Sequence, residues 1–512
     1  MSLIVVFVFV CVSLLLALIL KIFHKLWWAP IRIQKLMNLQ GIKGPSYRFF
    51  HGTSKEQLSM GKEARAKPIM GLSHNIFPKL QPHVHCWTKL YGKNYLQWFG
   101  PQAQMVITEP ELIKEILNNK EKAYPKPKKS EFLQKIFGDG LSAAEGKKWV
   151  KKRKLANHAF HGESLKSMIP AMIESVESML EKWKSHVGKE IDVYEQFRFL
   201  TAEVISKTAF GSSFLEGKTI FEMLEKLTLL ATRNIYKPRF PGISKIFKTE
   251  DQIESDKLEK GICNSIMEMI KKREEKITNG DKDGLGNDFL GLLVKACHDA
   301  NENQRISMDD VVDECKTFYF AGQETTNSLL AWTVFLLATH MDWQEEARKE
   351  VINLFGKQDP KPDGLAMLKT MSLIINESLR LYPPVVGLAR KTDKEVRLGN
   401  LNLPADVYLA LSILAVHHDP QVWGEDVHLF KPERFSEGVS KATKNNIASL
   451  FPFGLGPRTC VGFNFVLNEA KIALAMILQR YTFTLSPAYV HSPIVVITNR
   501  PQFGVQVRIH RI

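Results

Sequence analysis

A chain of 512 residues, 45% apolar and 24% charged, can bury a large core, and its six scattered cysteines show neither disulfide-scaffold nor zinc-site spacing. The formal net charge of +15 asks for a partner or a surface. No zinc-finger or RNA-binding signature accompanies it, so nucleic acid is set aside in favour of an acidic protein partner and a membrane surface.

Leu3 to Leu20 is an almost unbroken apolar run without a charge, close to the ~20 residues that span a bilayer as a helix. Lys21, His24 and Lys25 follow it, then Trp27 and Trp28, which suit a membrane interface. No basic segment precedes the run and no small-x-small site follows, which argues against a cleaved signal peptide. The expectation is a transmembrane signal anchor over residues 1–25, with the positive flank keeping the main body cytosolic. Residues 26–50 read as a basic, Pro/Gly-containing hinge with a short helix at Ile31–Leu39. Residues 51–512, which contain no linker or repeat, read as one catalytic domain.

His83, His85 and Cys86 lie in a helical window from Pro78 to Tyr91 and complete no ligand spacing. Tyr95–Phe99 and Gln104–Thr108 predict a hairpin, and Thr108 with Glu111 predicts a capping box for the next helix. Trp149 and Arg153 stand four apart on one helical face, surrounded by Lys147, Lys148, Lys151, Lys152 and Lys154. Those lysines read either as a solvated face or as a docking patch for an acidic partner. Met168 to Lys276 is mostly amphipathic helix, broken at Tyr236–Gly242, where exposed aromatics and cations suggest a loop dipping into the membrane. Gly217-Lys218-Thr219 misses the spacing of a phosphate-binding loop, Gly211 being one residue too far away. Lys271 to Asn287 reads as a polar, exposed loop.

Ser307 opens a long apolar helix with Asp309 and Asp310 in its first turn. Ala321-Gly322-Gln323-Glu324-Thr325-Thr326 lies in its middle. Small residues there admit a flat ligand, and an acid in such a helix is costly unless used or paired. Glu377 and Arg380 face each other at i and i+3 before Pro383-Pro384. Asn376-Glu377-Ser378 is a formal glycosylation sequon that a cytosolic body leaves unused. Strands are expected at Val396–Leu398 and Tyr408–Ser412, and a terminal hairpin of Ile494–Thr498 with Val505–Ile509.

Phe453-Gly454-Leu455-Gly456-Pro457-Arg458-Thr459-Cys460-Val461-Gly462 ends in a lone Cys just before a helical pattern. Unpaired N–H groups and the dipole at that helix start favour a thiolate, and the glycines admit a flat partner. A thiolate so placed suits a haem iron.

This stretch resembles the haem-binding signature F-x-x-G-x-R-x-C-x-G of the cytochrome P-450 superfamily at every fixed position. The resemblance implies a mainly α fold with a smaller β region. A haem would lie between the long central helix and the Cys-loop helix, after an N-terminal anchor. By it, Cys460 is the metal ligand in the loop beginning at Phe453. Arg458, Trp149, Arg153 and Arg390 face the haem propionates. Glu324 and Thr325 relay protons so that the O–O bond of dioxygen splits heterolytically. Glu377, Arg380 and Arg434 form a structural triad.

The segment Gln40–Arg48 and Gln323-Glu324-Thr325-Thr326 resemble a plant clan that oxidises terpenoids, gibberellins, brassinosteroids and cytokinins and includes secologanin synthases. Phe463 and Val466 depart from the usual Gln and Ala. The implied reaction inserts one atom of dioxygen into a C–H bond of an apolar small molecule, at the endoplasmic reticulum. No dinucleotide-binding Gly-rich loop is present, so electrons are expected from NADPH through a separate reductase. Two alternatives are an isomerase or dehydratase of the same haem class that needs no dioxygen, and a membrane-tethered ligand carrier.

Overall fold

The computed structural model describes residues 3–119, 121, 123–235, 248–279 and 284–512. The expected membrane-dipping loop at Tyr236–Gly242, with Phe240, and Phe247 beyond it, lies outside the described residues.

One rod of helix runs from Leu3 to Leu39, apolar enough to cross a bilayer, and its apolar window is entirely unburied. Residues 26–39 of the expected hinge continue the rod and take in the short helix expected at Ile31–Leu39, and the chain leaves the helical form from Gln40 onward. Pro30 has no N–H to give the Leu26 carbonyl, and the helix absorbs this with a π turn over His24–Trp28. The Tyr47 hydroxyl donates to that freed Leu26 carbonyl, and the Tyr47 N–H donates to Gln34 Oε1 at 2.9 Å. Trp27 packs on Tyr47 and Phe49, and Tyr47 packs edge-on against Trp98 at 4.9 Å. Met37 is fully buried in the core of the sheet. The aromatic cluster fastens the rod to the body.

Helices form most of the body around the long helix Met308–Thr339. Ser307 and Asp310 close a reciprocal capping box at its start, as the acidic first turn predicts. The helix Val193–Phe210 lies against it, stitched by Thr201 donating to the Gln323 carbonyl at 3.1 Å. Phe160 stacks on Phe318 and meets Phe465 edge-on, which joins the helix Gly146–Phe160 to the long helix and to the Cys-loop helix Phe463–Leu478.

The main sheet has four strands in the order Asn94–Phe99, Gln102–Ile107, Tyr408–Ser412, Gly387–Lys391. Its central pair is parallel and its outer pairs are antiparallel. The first two strands are the expected hairpin. Val396–Leu398 pairs instead with Leu401–Leu403 in a separate two-stranded ribbon.

Three further expectations fail for local reasons. Thr108 does not cap: its hydroxyl donates to the Lys93 carbonyl at 2.8 Å, while Glu111 accepts from Asn446. Pro110, with its preset φ, starts that helix without a side-chain cap. The polar stretch from Lys271 continues the helix Glu250–Thr278, because Arg273 turns inward onto both carboxylate oxygens of Asp288, at 2.7 and 2.8 Å. The expected terminal hairpin of Ile494–Thr498 with Val505–Ile509 does not form. Pro493–Val496 pairs with Thr498–Pro501 around Ile497, a β-branched residue at φ 63°. Gly504, at φ 74°, then turns the chain past the Asp192 carboxylate, where a Cβ would meet Asp192 Oδ2 at 1.9 Å. Gln506–Arg511 therefore joins Tyr481–Leu485 and Glu190–Asp192.

Candidate active site

The Cys loop folds back on itself: the Cys460 N–H donates to the Phe453 carbonyl at 2.9 Å. Gly454 and Gly456 hold positive φ, and a Cβ on Gly456 would strike the Leu117 carbonyl at 2.4 Å. Phe453 meets Phe463 edge-on at 4.7 Å. Cys460 is solvent-reachable, whereas Leu455 and Val461 in the same loop are buried.

Its thiol is not lowered, as the helix start alone suggests. Although solvent reaches the sulfur, the protein atoms packed around it desolvate it and push it up, and the Gly462 N–H and the Arg153 charge only partly offset that. A metal cation sharing the site would favour the thiolate.

The long helix offers a matching opening. From Glu314 to Ala338 every residue is buried except Ala321, Gly322 and Thr325. Ala321 and Thr325 share a face, and the Thr325 hydroxyl donates to the Ala321 carbonyl at 2.7 Å, bending the ladder there. Gly322 serves another purpose than close ligand approach, since its Cβ would collide with Ile205 at 2.6 Å. Glu324 points away from this opening. It is buried, accepts from Thr498 at 3.2 Å, and its carboxyl is pushed up by burial, opposed by the Arg500 charge.

The Trp149/Arg153 helix meets the Cys loop although Arg153 and Thr459, the carbonyl of which Arg153 grips, stand 306 positions apart in the chain. The Arg458 guanidinium lies 4.5 Å over the Trp149 ring, donates to the Ala144 carbonyl at 2.8 Å and pairs with Glu145. Arg390 is buried on the strand Gly387–Lys391, and burial with the Arg458 charge holds its guanidinium down at about 10.

Sequence reasoning missed Lys126. Its segment is tied to that strand by the Lys391 N–H on the Pro125 carbonyl at 2.9 Å. Burial, then Arg390, Arg458 and Lys129, push its ammonium down to about 7, with only Glu145 opposing. The basic run Lys126-Pro127-Lys128-Lys129 was the available signal. Four cations, Lys126, Arg153, Arg390 and Arg458, thus converge around the Cys loop with one opposing carboxylate. Such a set suits a flat dianionic group bound beside the sulfur.

The expected triad also assembles, away from this cradle. Glu377 and Arg380 are fully buried in a bidentate pair at 2.7 Å, and Arg434 reaches Glu377 at 3.4 Å. Arg380 also donates to the His417 carbonyl at 3.0 Å.

The lysine patch divides. Lys152 is buried and pairs with Asp310 at 2.9 Å and Glu314 at 3.3 Å, and Lys148 pairs with Asp139 and Asp310. Lys152 is therefore not available on a docking face, because the acidic start of the long helix packs against it, whereas Lys148 stays exposed despite its ion pairs. Lys147 is exposed, and Lys151 reaches only the Arg305 carbonyl. His83 and His85 pack on Trp87 and Phe77, and among the described residues no cluster of three or more His, Cys, Asp or Glu could hold a metal ion.

A helical body with a lone cysteine on a glycine loop under a long helix defines the class. The cytochrome P450 family profile matches residues 62–502. The chain belongs to the cytochrome P450 family, whose members are monooxygenases that use a haem iron held by thiolate and consume dioxygen. It is 58% identical to cytochrome P450 CYP749A22 of Panax ginseng over 97% of this chain and 95% of that protein. Cytochrome P450 734A1 of Arabidopsis thaliana is 40% identical over 98% and 96% of the two chains. The 7-deoxyloganic acid hydroxylase of Catharanthus roseus is 39% identical over 98% of each.

Proposed function

We propose that this monooxygenase is membrane-anchored at the endoplasmic reticulum and inserts one oxygen atom into a C–H bond of a mainly apolar terpenoid or hormone-type molecule. Electrons come from NADPH through a separate reductase. A haem bound here supplies the dioxygen activation. Cys460 ligates its iron, and Arg390, Arg458, Arg153 and Lys126, with the Trp149 ring beneath Arg458, neutralise its propionates. Phe453 closes the loop on the sulfur side. Thr325 presents its hydroxyl at the opening of the long helix, and Glu324 supplies protons to that face. The triad of Glu377, Arg380 and Arg434 braces the sulfur-side core.

The observation that carries this reading is the surplus of cations, Arg390 buried and Lys126, Arg153 and Arg458 half-buried, beside an accessible cysteine. The substrate class is supported by the relative named as a 7-deoxyloganic acid hydroxylase. Anchoring is supported by the rod Leu3–Leu39, with Trp27 and Trp28 following its apolar run. The reductase face left after the burial of Lys152 is Lys147, Lys148, Lys151 and Lys154. Microsomes carrying this protein, a reductase and NADPH should convert a terpenoid or hormone from a plant panel to a product 16 Da heavier, an oxygen atom's mass. Product formation without NADPH or reductase would favour the isomerase reading. Absence of haem absorbance would leave the ligand carrier.

A further inference from the structure

Along the C-terminal half of the long helix runs a chain of aromatic and imidazole rings that the proposed oxygen chemistry leaves unused. Trp332 stands seven residues past Thr325, two turns or about 10 Å along the axis. It is fully buried and stacks on Tyr382, with ring centroids 4.5 Å apart and planes at 20°. Tyr382 follows the helix Lys369–Leu381 and is itself fully buried. Its hydroxyl meets two imidazoles, His74 Nδ1 at 2.9 Å and His491 Nε2 at 3.2 Å. The other nitrogen of His491 meets the Tyr489 hydroxyl at 2.9 Å. Phe335 stacks on His491 at 4.9 Å and 8°, which holds that ring against the long helix.

The three hydrogen bonds are satisfied by one proton each. The protons run either from Tyr489 through His491 and Tyr382 to His74, or in reverse. Either way the Tyr382 proton points at an imidazole lone pair. Burial, then the charges of His340, His491, Arg380 and His428, hold His74 down to about 3. Burial, opposed by a hydrogen bond to the Ser73 backbone and helped by the Lys79 charge, holds His491 down to about 4. Both rings are therefore neutral bases at pH 7. The outer end of the chain is open. His74 lines a pocket of about 490 Å³ together with Ser73, His340, His428, Phe430 and Lys431, and Ser73 is exposed.

Indole and phenol give up single electrons more readily than the other rings of a protein core. A phenol does so far more easily when a base takes its proton in the same event. Packing alone would need neither imidazole.

We propose that Trp332, Tyr382, His74 and His491 form a redox relay between the pocket beside His74 and the haem side of the long helix, through which a small one-electron reductant reduces hydrogen peroxide. This rests on the haem reading above. In each step Tyr382 loses one electron by way of Trp332 and its O–H bond breaks, the proton passing to an imidazole nitrogen. An ascorbate anion in the pocket returns the electron, and the imidazole returns the proton. Two ascorbate anions, each losing one electron and one proton, turn one peroxide into two waters.

The test uses full-length, haem-loaded, substrate-free protein with its thiolate-type carbon monoxide band present, which separates a failed relay from a failed haem site. Mixed with hydrogen peroxide and frozen, the parent should show a neutral tyrosyl radical by electron paramagnetic resonance. Ring-deuterated tyrosine should narrow that signal while leaving the fold untouched. Y382F should lose most of the signal, and W332F should delay its appearance several-fold. Haem absorbance should bleach several-fold faster under peroxide in Y382F, and ascorbate should prolong it in the parent but not in Y382F. S73W, which narrows the pocket, should slow quenching of the radical by ascorbate. No radical in the parent, no narrowing with deuterated tyrosine, an undiminished signal in Y382F, or equal rescue by ascorbate in parent and Y382F would overturn the relay. Unslowed quenching in S73W would overturn the pocket as the entry point.

Discussion

Two clusters of charge lie in this protein and are built on opposite terms. Around Glu377 every charge is answered: Arg380 gives two parallel hydrogen bonds at 2.7 Å, and Arg434 and the Lys431 N–H take the remaining lone pairs. Around the Cys loop, Lys126, Arg153, Arg390 and Arg458 face one another with Glu145 alone in opposition. Crowding like charges into partly desolvated sites costs free energy, and a fold retains several together only where something else neutralises them. The satisfied cluster stabilises the chain itself. The unsatisfied one is arranged for a group that the chain does not encode.

The comparison can be broken most severely at the satisfied cluster. Arg380→Ala strands Glu377 in the interior, and the loss of about 3–5 kcal/mol should abolish recovery of folded haem protein in expression trials. The unsatisfied cluster should respond in the reverse sense. Arg390→Met should speed haem loss by about ten-fold, one charge-assisted hydrogen bond's worth, while the thermal midpoint of the haem-free protein stays level or rises. A haem-free midpoint that falls as far as the holoprotein's would mean the cluster is structural after all.

Acid sharpens the contrast. His417 sits by the satisfied cluster and is held down to about 3 by burial and the Arg380 charge. The unfolded chain takes up that proton near pH 6.5 and the folded chain only near 3, so this contribution is complete above pH 6.5 and is lost as pH falls toward 3. Stability should drop by about 1.4 kcal/mol per pH unit in that window for this one group, and His417→Asn should flatten the slope of denaturant midpoints against pH. The smallest effect belongs to neither cluster. Ser307→Ala removes the hydroxyl cap of the long helix and should cost about 1 kcal/mol, read as a shift in urea midpoint with activity kept.

The sulfur loop, the long helix and the Glu377 triad were legible in the sequence because each is a local pattern with fixed spacing. Ser307 with its acidic turn named its own cap, and Glu377 with Arg380 named its own pair. What escaped depends on tertiary partners. Lys126 looks like one lysine in a basic run until the strand bearing Arg390 is laid beside it. Lys152 looked exposed by its neighbours, yet Glu314 and Asp310 on the long helix bury it. Thr108 had the letters of a cap, but Pro110 already fixed the helix start. Residues 26–39 carried hinge letters, and only the meeting of Tyr47 with the carbonyl freed by Pro30 shows how the rod runs on to Leu39. The direction of Glu324 was equally hidden, because its partners come from a strand more than 170 residues on.

The central claim is that the Cys460 sulfur binds iron, and it is tested most directly by the absorbance spectrum of reduced protein under carbon monoxide. The parent protein should give the thiolate-type band, and Cys460→Ala, expressed with ample haem precursor, should lose it entirely. Persistence of that band in the variant, or a colourless parent protein, would contradict the account.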